Sequence, residues 1–104
     1  MAEVRWTPQA VDDLDAIARF IDADSPHYAS LFVIDILDAA EGLGEFPQSG
    51  RVVPEAADPC MREVLLGNYR LVYRFRGEAV EILTVYHRSR LLDPSQWTAG
   101  RHDG

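Results

Sequence analysis

The stretch Tyr69-Arg70-Leu71-Val72-Tyr73-Arg74-Phe75-Arg76 decides the fold. From Tyr69 every second residue is aromatic or leucine, and a period of two marks a strand with one face against a core. Tyr69, Leu71, Tyr73 and Phe75 are expected to pack inward. Arg70, Val72, Arg74 and Arg76 are expected to face water or a partner. Arg62 to Leu66 and Ala79 to Tyr86 read as two further strands. Gly67-Asn68 and Gly77-Glu78 link the three, and two-residue links of this kind suit hairpins.

Upstream, the period becomes helical. Val4-Arg5-Trp6 alternates apolar and polar, as an opening edge strand does. Thr7-Pro8 then supplies an N-cap residue and a proline at the first helical position. Ala10, Leu14, Ile17 and Ile21 fall on one helical face, and Asp12, Asp13 and Asp15 are expected near the N-terminus, where the helix dipole favours acids. Ser25-Pro26 repeats the start signal. Ala29, Phe32, Val33, Ile36, Leu37 and Ala40 form the next stripe, with Gly42 and Gly44 expected to end it. The short link between the helices predicts an antiparallel hairpin. Pro47 to Arg51, Pro54 and Pro59 punctuate a loop before the meander. From Leu91 to Gly104 a loose polar end is expected. The fold class is therefore α+β, an N-terminal strand and helical hairpin packed on an antiparallel β-sheet, in one domain over residues 1–104.

Composition narrows the function. Apolar residues make up 47% and charged residues 26% of 104 positions, a globular balance. The longest apolar run is Leu31-Phe32-Val33-Ile34, too short for a membrane span. With no signal-like start, a cytoplasmic protein without membrane attachment is expected. Cys60 is the one cysteine, which rules out an internal disulfide framework; with three histidines, a cysteine-rich zinc site is not expected. No metal or other cofactor is expected. The formal charge is −7, and all ten basic residues are Arg, so lysine chemistry is absent. Residues 1–48 carry two Arg against ten acids, whereas residues 62–90 carry six Arg against three. An acidic chain is a poor general nucleic-acid binder, so sequence-specific nucleic-acid binding is not expected.

There is no Gly-rich phosphate loop, His-x-x-x-His pair or Gly-x-Ser-x-Gly elbow. Asp12, Asp13 and Asp15 read as surface acids, Cys60 as an inert thiol, and Trp6 and Trp97 as packing residues. The informative set is Arg62, Arg70, Arg74, Arg76, His87, Arg88 and Arg90, on or just beyond the sheet. Such a set can hold a phosphate, stabilise a phosphoryl transition state or bind an acidic segment. The alternative is a solvated face, with some Arg paired to Glu63, Glu78 and Glu81.

Trp6-Thr7-Pro8, Asp13-Leu14, Ile17 and Phe20-Ile21 resemble the start of the ParE/RelE family of toxin–antitoxin toxins, which includes plasmid stabilisation proteins. The resemblance continues through Pro47, Gly50 to Glu55, Arg62-Glu63, Tyr69 to Arg74 and Ile82 to Arg90. It implies the same helical hairpin on an antiparallel sheet, and two modes of action. RelE-like members cleave messenger RNA in the ribosome, and Arg70 and Arg88 match arginines of those nucleases, with His87 as an acid or base. Where those nucleases carry lysines, this chain reads Met61-Arg62-Glu63-Val64; the tyrosine expected after Arg88 is also absent. Gly50 to Glu55 and Val85 to Arg88 look more like ParE-type members, which poison DNA gyrase.

The favoured reading is thus a gyrase inhibitor without chemistry of its own, facing its target with Arg62, Arg70, His87, Arg88 and Arg90. The alternatives are a ribosome-dependent endoribonuclease or a non-toxic relative that binds only antitoxin. The resemblance also implies a cognate antitoxin, ParD-like or other, whose disordered part folds on the toxin. Phe20, Leu31 and Ile34 lie outside one narrow stripe and belong either to a thick core or to an antitoxin groove. Arg74 and Arg76 are candidates for acidic antitoxin residues, while the acidic helices suit basic ones.

Overall fold

A computed structural model describes residues 1–89. Its elements are β1 (Glu3–Trp6), α1 (Pro8–Asp22), α2 (Pro26–Glu45), β2 (Arg51–Val52), β3 (Met61–Leu66), β4 (Tyr69–Arg76) and β5 (Ala79–His87). The five strands form one sheet in the order β1-β5-β4-β3-β2. β3, β4 and β5 make the expected meander, with Leu66 opposite Tyr69 and Arg76 opposite Ala79. Gly67 and Gly77 open the two hairpin turns at positive φ, where a side chain would be strained. β1 joins the edge of the sheet by running parallel to β5, with the helical hairpin, β2, β3 and β4 between them in the chain. The two-residue β2 lies within the expected loop and pairs Arg51 with Glu63 and Val52 with Arg62.

Thr7 fixes the start of α1. Its hydroxyl accepts from the Ala10 N–H at 3.1 Å and donates to the Ile82 carbonyl at 2.9 Å, joining the cap to β5. Ser25 caps α2 in the same way, accepting from the Tyr28 N–H at 3.2 Å. The first turn of α1 contains no acid, because the helix starts at Pro8 and Asp12 lies beyond that turn. Asp13 instead accepts from the Thr84 hydroxyl at 2.5 Å, and Asp15 pairs with Arg19 one turn on. Gly42 and Gly44 do not end α2; both lie within it. Gly44 is there for close approach. Ala2 donates its N–H to the Gly44 carbonyl at 2.7 Å, and a Cβ on Gly44 would stand 2.9 Å from the Ala2 oxygen.

The helices cover one sheet face. Ala10, Ile36, Ala40 and Leu43 meet Leu71, Tyr73, Val80, Ile82 and Val85, with Tyr69 and Phe75 packed against them. All four inward-reading residues of β4 thus lie on the helix side. Leu37, expected in the buried stripe, is exposed instead, because it sits at the flank of α2 away from Ile36 and Ala40. The other face is not open either. Val53, Met61, Val72, Leu83 and Tyr86 form a second core, with Ala56 packed on it. The segment from Val53 to Cys60 folds back over the sheet and buries what reads as a solvent face.

Tyr73 ties the loop before β2 to the sheet. Its hydroxyl donates to the Pro47 carbonyl at 2.7 Å and accepts from the Gly50 N–H at 3.0 Å. Burial pushes the phenol pKa up, so it stays a neutral donor. A Cβ on Gly50 would lie 2.7 Å from both the Glu63 carbonyl and that hydroxyl. Substituting Gly50→Ala or Gly44→Ala is expected to cost about 1–3 kcal/mol in urea unfolding. Gly42→Ala, with open space at its Cβ, should stabilise by about 0.5–1 kcal/mol. Tyr73→Phe should cost about 1–3 kcal/mol by leaving buried polar groups unpaired.

Candidate target-binding and antitoxin-binding surfaces

β4 sets Arg70 between Leu65 of β3 and Tyr86 of β5. Its side chain is 9% exposed, so it does not face water. Arg70 Nε donates to Glu63 Oε1 at 2.7 Å, and Arg70 Nη2 also pairs with that carboxylate. Nη1 and Nη2 reach the two Glu55 oxygens at 3.2 and 3.3 Å. The guanidinium carbon lies 5.2 Å from the centre of the Tyr86 ring, a cation–π distance. Glu63 is fully buried, and its other oxygen accepts from Arg51 Nε at 2.6 Å. The group expected to meet a phosphate is thus held by two carboxylates of its own chain.

Arg74 is treated alike. Its side chain is 5% exposed, 3.2 Å from Asp58 and 3.7 Å from Glu81, so it too departs from the expected solvent-facing position. Of the outward-reading residues on β4, Arg76 alone is exposed, 3.8 Å from Asp58. Arg62 donates to the Gly50 and Gln48 carbonyls at 2.7 and 3.3 Å. Arg88, at the far end of the hairpin, donates to the Gly67 carbonyl at 3.2 Å. Among the described residues neither Arg62 nor Arg88 has a carboxylate within ion-pair reach. His87 is exposed, stacks edge-on against Tyr69 and contacts the Ser89 hydroxyl through Nδ1 at 2.8 Å. Arg90 lies outside the described residues. The sheet therefore does not gather its cations into one pocket. It leaves Arg62 and Arg88 without carboxylate partners toward opposite ends of β3–β4, with Arg70 closed between them and Arg74 closed opposite Met61, beyond Arg62.

Glu55, Asp58 and Arg51 are the partners that sequence reasoning missed. Of the acids expected to pair, Glu63 and Glu81 do so, and Glu78 forms no ion pair among the described residues. Glu63 was within reach of inference, since the register sets it diagonal to Arg70. Glu55 and Asp58 lie in a proline-punctuated loop with no period to place them. Among the described residues no group of three or more His, Cys, Asp or Glu is arranged to hold a metal ion. No helix there is long and apolar enough to cross a membrane.

The helical hairpin presents the second surface. Phe20 is 78% exposed, Ile34 52% and Leu31 43%, which excludes the thick-core alternative for them. A groove between the helices is lined by Ala18, Arg19, Asp22, Ala29, Val33 and Ile34, and a second hollow at the hairpin tip by Phe20, Ile21 and Tyr28. Asp22, Asp24, Asp35, Asp38 and Glu41 are exposed on the same helices and their link.

Burial works against the Glu55 carboxylate, but hydrogen bonds and charge from Arg70 hold its pKa below the ordinary value. Asp58 is likewise opposed by burial and lowered by the Cys60 N–H, Arg74 and Arg76. Carboxylates depressed on folding stabilise the fold above their unfolded pKa, and that contribution is lost as pH falls through the folded pKa. Thermal stability should therefore be flat near neutrality and fall with acid below about pH 4. Glu55→Gln/Asp58→Asn should lower the neutral-pH melting temperature and flatten the fall.

Comparison with known proteins places this geometry. The family model described as ParE toxin of type II toxin-antitoxin system, parDE, matches residues 4–92. The Y4kP protein of Sinorhizobium fredii is 38% identical over 86 residues, 81% of this chain and 85% of that one. Toxin RelE2 of Caulobacter vibrioides is 35% identical over 92 residues, 88% of this chain and 100% of that one. A solved chain of the chromosomal ParDE toxin–antitoxin system from P. aeruginosa superposes with a TM-score of 0.68 at 27% identity, over 84% of this chain and 96% of that one. With its two helices on a five-stranded sheet, the chain belongs to the ParE toxin family of type II toxin–antitoxin systems.

Proposed function

We propose that this toxin acts in the cytoplasm by binding DNA gyrase, without bond-breaking chemistry of its own, and is neutralised by a cognate antitoxin. One observation carries the first part. Arg70, which the ribonuclease reading needs as a phosphate-stabilising cation, is buried against Glu63 and Glu55. Electrostatic stabilisation of a transition state needs a donor aimed at the developing charge. A guanidinium occupied by two internal carboxylates is not so aimed. The absence of lysine and the net charge of −7 also work against docking on ribosomal RNA. The exposed His87 and Arg88 and the half-buried Arg62 remain as the groups of the sheet that can meet gyrase.

The antitoxin is assigned to the helical hairpin, where Phe20, Leu31 and Ile34 offer apolar anchors amid exposed acids. An amphipathic segment with basic flanks fits that surface. Arg76 offers a separate contact for an acidic antitoxin residue, whereas Arg74 is buried by Asp58 and Glu81.

Purified toxin is expected to inhibit gyrase supercoiling and to leave messages on ribosomes uncut. Arg62→Ala and Arg88→Ala should each weaken gyrase inhibition about tenfold, a loss of about 1.4 kcal/mol in binding. Message cleavage abolished by Arg70→Ala would replace this reading with the endoribonuclease. No effect in either assay or on growth, with antitoxin still bound, would leave a non-toxic binding protein.

A further inference from the structure

Residues 54–59 cover the second core as a strap whose backbone hydrogen bonds are local. The base is closed by the Val53 N–H donating to the Met61 carbonyl at 3.0 Å. Within it, Ala56 donates to the Val53 carbonyl at 3.2 Å and Met61 to the Asp58 carbonyl at 3.0 Å. The Cys60 N–H bonds the Asp58 side chain at 2.9 Å. Among the described residues, the backbone hydrogen bonds of 54–59 stay inside the strap or at its base. Its far end is fixed by the Phe75 N–H of β4 donating to the Cys60 carbonyl at 3.0 Å; between the two ends, what presses it to the sheet is Ala56 packing and two acids, Glu55 on Arg70 and Asp58 on Arg74 and Arg76. The main core on the helix face shares no residue with the patch beneath the strap.

We propose that this strap opens as a unit while the sheet stays folded, and that in the free protein it occupies a surface made of Arg70, Val72, Leu83 and Tyr86. Glu55 is the part that exchanges. The bonds it accepts from Arg70 are longer than the 2.7 Å bond Arg70 donates to Glu63, and its side chain is 30% exposed where Glu63 is fully buried. Lifting the strap leaves Glu63 in place and presents a half-neutralised guanidinium beside apolar and aromatic side chains. That combination fits a carboxylate-bearing apolar peptide segment, with the strap as its intramolecular stand-in. The opening does not depend on gyrase as the target.

Residue-resolved hydrogen exchange on the intact chain tests the opening directly. The Ala56 and Cys60 amides should exchange at least about tenfold faster than β4 amides, with much weaker urea dependence. Glu55→Gln/Asp58→Asn should widen that gap further. Two single-cysteine chains in a Cys60→Ser background read the surface itself. Val72→Cys, under the strap, should react with a thiol reagent at least about tenfold faster than Val85→Cys, under the helices. If strap and β4 amides share one protection and one steep urea dependence, or the two cysteines react at the same rate, the strap opens only with the whole fold and the proposal falls.

Discussion

The fully buried carboxylate of Glu63 is the constraint on which this structure turns. A buried carboxylate is costly unless opposite charge and hydrogen bonds compensate it. Arg70 takes one oxygen and Arg51 the other. Arg51 belongs to the two-residue β2, so the ion pair helps explain why a strand forms in a proline-rich stretch. Arg70 in turn draws Glu55, and with it the strap that covers Val72, Leu83 and Tyr86. The second core, the edge strand and the closed guanidinium follow from one charge arrangement.

Most of the fold was legible because its signals are local. Thr7-Pro8 and Ser25-Pro26 cap helices by short-range hydrogen bonds, and Gly67 and Gly77 make turns that need positive φ. The alternation of β4 correctly set Tyr69, Leu71, Tyr73 and Phe75 on the helix side. The same alternation misled on the opposite face. Period two separates two faces, but it does not say whether a distant loop covers the second one. Arginine at Arg70 and Arg74 reads as solvent exposure, whereas carboxylates 15 and 16 residues away allow both to be buried. Gly44 reads as a helix end, yet its role is to let β1 approach α2.

For the candidate residues, strand placement was legible in the sequence and their arrangement was not. Arg62, Arg70 and Arg88 all lie on the sheet or beside its hairpin, as the strand assignments require. Antiparallel pairing of the strands suggested that Arg62, Arg70 and the segment from His87 to Arg90 come close together. The register instead separates Arg62 and Arg88 toward the two ends of β3–β4, with the neutralised Arg70 between. This distribution suits recognition across a surface more than chemistry at one point. The acidic, partly apolar helical hairpin provides a second surface of opposite character.

The central claim is that Arg70 is spent on the fold. A double-mutant cycle on unfolding free energy with Arg70→Met and Glu63→Leu measures this most directly. Each single substitution removes the closest partner of a buried charge and is expected to cost about 3–5 kcal/mol, while the double variant should cost less than either. A small cost for Arg70→Met alone, with no coupling to Glu63, would contradict the account and return Arg70 to the target-facing surface.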